Sequence, residues 1–130
     1  AVFLPVVPPA TDGRVYALRM IEFSPKVFPY NQVTFVNILP KPVAVVLGEN
    51  KGAVRPGGII RSTYTTRRKG TGYLRVALAV RDVEGGAKLL YNRRISVFKD
   101  ERTLAIPIAD PFGGPGIKVI THRDHGAYAR

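Results

Sequence analysis

Residues 31–65, NQVTFVNILPKPVAVVLGENKGAVRPGGIIRSTYT, decide the fold. Val33, Phe35, Val36 and Ile38 lead into Leu39-Pro40-Lys41-Pro42, and Val43, Val45, Val46 and Leu47 lead out of it. Runs of β-branched and aromatic residues bounded by Pro and Gly read as strands, because branched side chains pack well on a pleated surface while proline interrupts pairing. Gly48 to Gly52 is polar and reads as a loop, and Arg55-Pro56-Gly57-Gly58 as a turn. After it Ile60, Ser62 and Tyr64 alternate with Arg61, Thr63 and Thr65, the period of a half-exposed strand. The first two strands are apolar on both faces, as expected in the middle of a sheet covered by another layer.

Toward the C-terminus, Arg67-Arg68-Lys69-Gly70-Thr71-Gly72 reads as a hairpin tip. The clearest strand follows. Leu74, Val76, Leu78 and Val80 face one way, and Tyr73, Arg75, Ala77 and Ala79 the other. Glu84-Gly85-Gly86 turns the chain into a strand over Lys88–Phe98. Lys99-Asp100-Glu101-Arg102 reads as a second charged hairpin turn, solvated and internally balanced. Leu104, Ile106 and Ile108 then alternate, the glycine-rich loop 110–116 intervenes, and Ile117–Thr121 makes a last short strand. Residues 122–130 lack apolar periodicity and read as a flexible tail. Toward the N-terminus, a strand is expected over Arg14–Phe23. Pro5, Pro8 and Pro9 make residues 1–13 an extended arm, since each fixes φ and removes a backbone donor. No stretch repeats apolar residues at helical spacing. About seven to eight strands at this spacing predict an antiparallel β-sandwich over residues 14–121, with a closed β-barrel as the alternative.

The 130 residues suit one domain with one core, and thirteen Gly and eleven Pro suit a turn-rich all-β chain. Without cysteine there is no disulfide, thiolate metal site or cysteine nucleophile. No run approaches the ~18 apolar residues of a membrane span. Twenty Lys and Arg against nine Asp and Glu give a net charge of +11, which attracts polyanions if it clusters and only aids solubility if it is spread.

Candidate binding residues follow from that excess. Arg67, Arg68 and Lys69, with the backbone amides around Gly70 and Gly72, would grip phosphate or sulfate oxygens. Arg55, Arg61 and Arg75 would extend them into a polyanion-binding patch, together with Arg93 and Arg94 if the strands align. Tyr64 and Tyr73 are interleaved with these cations as aromatic contacts. No RNA- or DNA-binding signature is present, so a nucleic-acid module acting through the basic tip is the alternative and not the first reading. His122, Asp124 and His125 crowd together, but no distant ligand completes a metal set, so no metal or other cofactor is expected. Ser24, Ser62 and Ser96 lack an elbow motif, and neither glycine-rich loop ends as a phosphate loop does. These absences favour a protein that is not an enzyme.

Phe35-x-Asn37, Pro42-Val43-x-Val45-x-Leu47-Gly48 and Pro56-Gly57, with Tyr73–Ala79 and Arg102–Ile106, resemble the immunoglobulin-like and cupredoxin-like sandwich domains of exported bacterial proteins. The copper-ligand cysteine is missing, and both histidines lie at the C-terminal end. The resemblance therefore implies the fold and not electron transfer. It also implies a periplasmic or extracellular setting, although nothing in the composition excludes the cytoplasm. The expectation is an extracytoplasmic binding or assembly module with an acidic partner: a glycan, an anionic surface or an acidic protein. The arm would serve a protein partner or an oligomer.

Overall fold

The computed structural model describes residues 2–6, 17–21, 26, 28–81, 84–109 and 116–125. They form ten strands: β1 (Val2–Val6), β2 (Ala17–Ile21), β3 (Gln32–Val36), β4 (Val43–Leu47), β5 (Asn50–Val54), β6 (Ile59–Thr63), β7 (Thr71–Arg81), β8 (Ala87–Phe98), β9 (Glu101–Ala109) and β10 (Ile117–His125). Eight of them build a β-sandwich. One sheet has the order β10-β9-β3-β6 and the other β5-β4-β7-β8, and neither closes into a barrel. β1 and β2 pair separately, antiparallel, from Val2 opposite Ile21 to Val6 opposite Ala17. Residues 2–6 of the expected arm are thus one strand of a ladder, and residues 7–16 lie outside the described residues.

The core lies between the two sheets. Val33 and Phe35 from β3 and Ala105 from β9 meet Val43, Val45 and Leu47 from β4, Leu74, Val76 and Leu78 from β7, and Val97 from β8. The alternation along β7 holds as the sequence predicts. At the centre of the first sheet both faces are covered: Thr34 and Val36 on β3, and Leu104 and Ile106 on β9, are buried on the side away from the main core, where Phe28 packs on Val36, Leu104 and Ile106. Burial on both faces, expected for β3 and β4 alike, is found for β3 only. On β4, Ala44 is exposed and Val46 half-buried, because that side is the open face of the second sheet. One pair departs from antiparallel order: β3 and β9 run parallel, with Thr34 opposite Leu104.

Several connections differ from the expected hairpins. Residues 64–70 join β6 of the first sheet to β7 of the second, and Lys99-Asp100 joins β8 of the second to β9 of the first. Both are corners between sheets. Gly and polar residues suit either kind of turn, so local chemistry does not separate them. The first corner is still tight: the Gly70 N–H bonds the Arg67 carbonyl at 2.8 Å, with Gly70 at φ 75°. The Gly48–Gly52 loop is instead a hairpin turn followed by β5, a strand with only Val54 buried.

Asn37 fixes the other end of the sandwich. Its side chain is fully buried, and its Nδ2 donates to the carbonyls of Lys41 and Val54 at 2.9 Å each. Its Oδ1 accepts the Leu39 N–H at 3.0 Å, while its backbone bonds Gly57 and Gly58. One buried amide thus ties the β3–β4 corner to the β5–β6 corner, with every polar atom satisfied, as burial demands.

The C-terminal strand also differs. Residues 122–125, expected in the tail, continue β10 alongside β9, and residues 126–130 lie outside the described residues. Asp124 accepts from Arg102 Nε at 2.7 Å. Arg102 is buried, donates also to the Phe28 carbonyl at 3.3 Å, and lies 5.2 Å from the centre of the Tyr30 ring. Arg102 is therefore an interior ion-pair partner and not part of a solvated turn.

Candidate functional site

The two sheets differ in charge. The strands of the second sheet carry Lys51, Arg75, Arg81, Lys88, Arg93 and Arg94 and contain no carboxylate. Those of the first carry Glu101 and Asp124 among their cations. Strand alternation sends Lys51, Arg75 and Arg94 to the outer face of the second sheet, opposite the core.

Arg75 and Arg94 are directly opposite each other on β7 and β8. Like charges in that relation destabilise a sheet. Each guanidinium has a neutral partner: Arg75 Nε donates to Asn92 Oδ1 at 3.2 Å, and Arg94 lies 5.9 Å from the centre of the Tyr73 ring. Tyr73 is itself 68% exposed. Between and beside them the face is floored by Ala44, Val46, Ala77 and Ala79, with Leu89 exposed at the β8 edge. Small residues keep this floor low, so the two arginines and Tyr73 stand above it.

At one end this face meets an open cleft of about 440 Å³. The β4–β5 turn supplies Gly48, Glu49 and Asn50, the end of β6 and its corner supply residues 62–65, and β7 supplies Tyr73, Leu74 and Arg75. The turn is forced close to β7. Gly48 has φ 61° and donates its N–H to the Arg75 carbonyl at 2.8 Å, and a Cβ there would stand 2.6 Å from Leu74 Cδ1. Only glycine fits without displacement. Asn50 Nδ2 donates to the Arg61 carbonyl at 2.6 Å, tying the turn to β6.

Tyr64 forms the inner wall. Its hydroxyl lies 2.8 Å from the Phe98 carbonyl and 2.9 Å from that of Glu101, so it ties the β8–β9 corner. Burial first, and then the Glu101 carboxylate, push this hydroxyl up to about 12. It stays protonated at any physiological pH.

The expected site residues are thus divided. Tyr64, Tyr73 and Arg75 converge on the cleft, and Arg94 joins them through β8. Arg67, Arg68 and Lys69 are exposed on the β6–β7 corner that follows the cleft residues Tyr64 and Thr65. Arg61 is exposed on β6 in the first sheet. Arg55 lies at the opposite end, where its carbonyl accepts the Gly58 N–H beside the Asn37 clamp. Residues 59–61 of β6 lie between that end and the first cleft residue of the strand, Ser62, about 10 Å at strand rise. Glu49, Asn50, Thr63 and Thr65 are cleft residues that sequence reasoning passed over. The signal for the first two was Gly48 itself, a glycine that turns a polar tip back onto a neighbouring strand. Among the described residues no cluster of His, Cys, Asp or Glu could hold a metal ion, and no helix is long and apolar enough to cross a membrane.

No protein-family model, curated protein or solved structure matches the chain.

Proposed function

We propose that the protein is a binding module that takes an acidic partner on the outer face of the β5-β4-β7-β8 sheet, with Arg75 and Arg94 as the central contacts. One observation carries this reading: two arginines stand directly opposite on neighbouring strands, in a sheet whose strands contain no carboxylate to offset them. A like-charge rung is unfavourable in the free protein and becomes favourable when an anion bridges it. Exposed Tyr73 beside the rung adds an aromatic surface, and the small floor residues let an extended partner lie flat.

The role is binding and not catalysis. Ser24, Ser62 and Ser96 lack an elbow motif and neither glycine-rich loop ends as a phosphate loop does, which supports binding over catalysis. The likeness to exported sandwich domains favours an extracytoplasmic setting.

Anisotropy of labelled heparin, polyglutamate and oligothymidylate tests the reading, at about 20 and about 200 mM salt. At least one is expected to bind and to weaken steeply with salt, as binding through several ionic contacts requires. The Arg75→Ala/Arg94→Ala double variant should weaken it about tenfold, equivalent to about 1.4 kcal/mol. Arg55→Ala should leave it nearly unchanged. Absence of binding at low salt, or a double variant that binds like the wild type, overturns the proposal.

A further inference from the structure

The cleft and the basic face share two residues, Tyr73 and Arg75, so whatever lies on the face has its continuation in the cleft. The two surfaces have different chemistry. Arg75 and Arg94 stand on strands without carboxylates, whereas the cleft holds the Glu49 carboxylate, the Asn50 amide and the hydroxyls of Thr63 and Thr65. At about 440 Å³ the cleft is of the size that takes a small organic unit.

We infer that the cleft seats an uncharged, hydroxyl-rich sugar ring, so that the acidic partner is a polysaccharide in which charged and uncharged units follow one another. This rests on the reading of the basic face given above. A sugar ring offers hydroxyls that both donate and accept, and an apolar C–H face. Glu49 and the Oδ1 of Asn50 accept from hydroxyls; Arg75 donates to them; the ring of Tyr73 covers the C–H face. The Asn50 amide is already oriented, since its Nδ2 is held by the Arg61 carbonyl and its Oδ1 is fixed in consequence. A nucleic acid suits the cleft less well. A base would stack on Tyr73, but every nucleotide brings a phosphate, and Glu49 repels one at the cleft mouth. An acidic peptide meets the same carboxylate. The negative charge on the partner belongs over the Arg75–Arg94 rung, as carboxylate or sulfate, and the neutral ring belongs beside Glu49.

Titration with four hexameric probes decides the matter: hyaluronan, which alternates uronate with a neutral sugar; keratan sulfate, which alternates a sulfated sugar with neutral galactose; oligothymidylate; and hexaglutamate. One of the saccharides is expected to bind about tenfold more tightly than oligothymidylate or hexaglutamate, with hyaluronan marking carboxylate and keratan sulfate marking sulfate as the recognised anion. Glu49→Gln and Tyr73→Ala should each weaken saccharide binding about fivefold while leaving its salt slope as in the wild type, because neither removes a cation. The two side chains are exposed, and an unchanged thermal midpoint confirms that both variants fold. If the nucleotide or the peptide binds as tightly as the saccharides, or if Glu49→Gln strengthens saccharide binding, the sugar inference is overturned and the basic face stands. If no probe binds at low salt, the basic face is overturned as well.

Discussion

The two sheets of this sandwich use the same strand chemistry to opposite ends. The β10-β9-β3-β6 sheet is buried on both faces at its centre and encloses one of its cations, Arg102, in a pair with Asp124. The β5-β4-β7-β8 sheet buries one face and displays Lys51, Arg75 and Arg94 on the other, with no carboxylate in its strands. A cation that is paired and enclosed serves the fold. One that is opposed by another cation and open to solvent adds nothing to the fold and is held only by neutral neighbours, Asn92 and Tyr73.

Substitutions can break that division or sharpen it. Arg102→Met removes both donors to Asp124 and the Phe28 carbonyl and leaves a half-buried carboxylate without its cation. Urea denaturation should show a loss of about 2–4 kcal/mol, since breaking such a pair costs more than the pair contributed. Asn37→Leu strips three side-chain bonds and orphans two carbonyls and one N–H at the corners, for about 2–3 kcal/mol by the same measurement.

Tyr64→Phe should cost about 1 kcal/mol at neutral pH, from the lost hydrogen bond between corners. It also changes the response to alkali. The folded state holds Tyr64 protonated up to about 12, whereas an ordinary tyrosine ionises near 10.0. Between these values only the unfolded chain releases the proton, so stability present below pH 10 is lost as pH rises toward 12. Thermal midpoints measured across that window should fall less in Tyr64→Phe than in the wild type. The smallest effect belongs to the second sheet. Arg94→Ala should change stability by no more than about 0.5 kcal/mol, or raise it, because it relieves a like-charge rung. A loss as large as that of Arg102→Met would erase the distinction between the sheets.

How much of this was legible in the sequence depends on the range of the interaction. The β7 alternation was plain, because side-chain period is a local property, and it already set Tyr73 and Arg75 apart from the core. The double-faced burial of β3 was readable in VTFV for the same reason. β5 was hidden: NKGAV has no apolar period, and its strand conformation comes from pairing with β4. The corners were hidden too, since Arg67–Gly70 and Lys99-Asp100 carry turn chemistry that does not say which sheet the next strand joins. The C-terminal end of β10 looked like a tail because the partner of Asp124 is Arg102, on another strand. The cleft was the least visible feature. Glu49, Thr65 and Tyr73 meet only once both sheets are in place.

The parallel pairing of β3 with β9 has a kinetic consequence. The second sheet can be assembled from the hairpins β4–β5 and β7–β8 and one further pairing. The first cannot be completed until Thr34 finds Leu104, with the whole second sheet strung between them in the chain. Closing that loop is entropically expensive and slow, so the β5-β4-β7-β8 sheet forms early and the β10-β9-β3-β6 sheet closes around it. Pulse-labelled hydrogen exchange during refolding should protect the amides of Val45 and Leu78 before those of Thr34 and Phe35, and the reverse order would show that the parallel pair is the nucleus. Until that closure, β3 and its apolar side chains wait without their β9 neighbour, and that interval is when the chain is most exposed to misassembly.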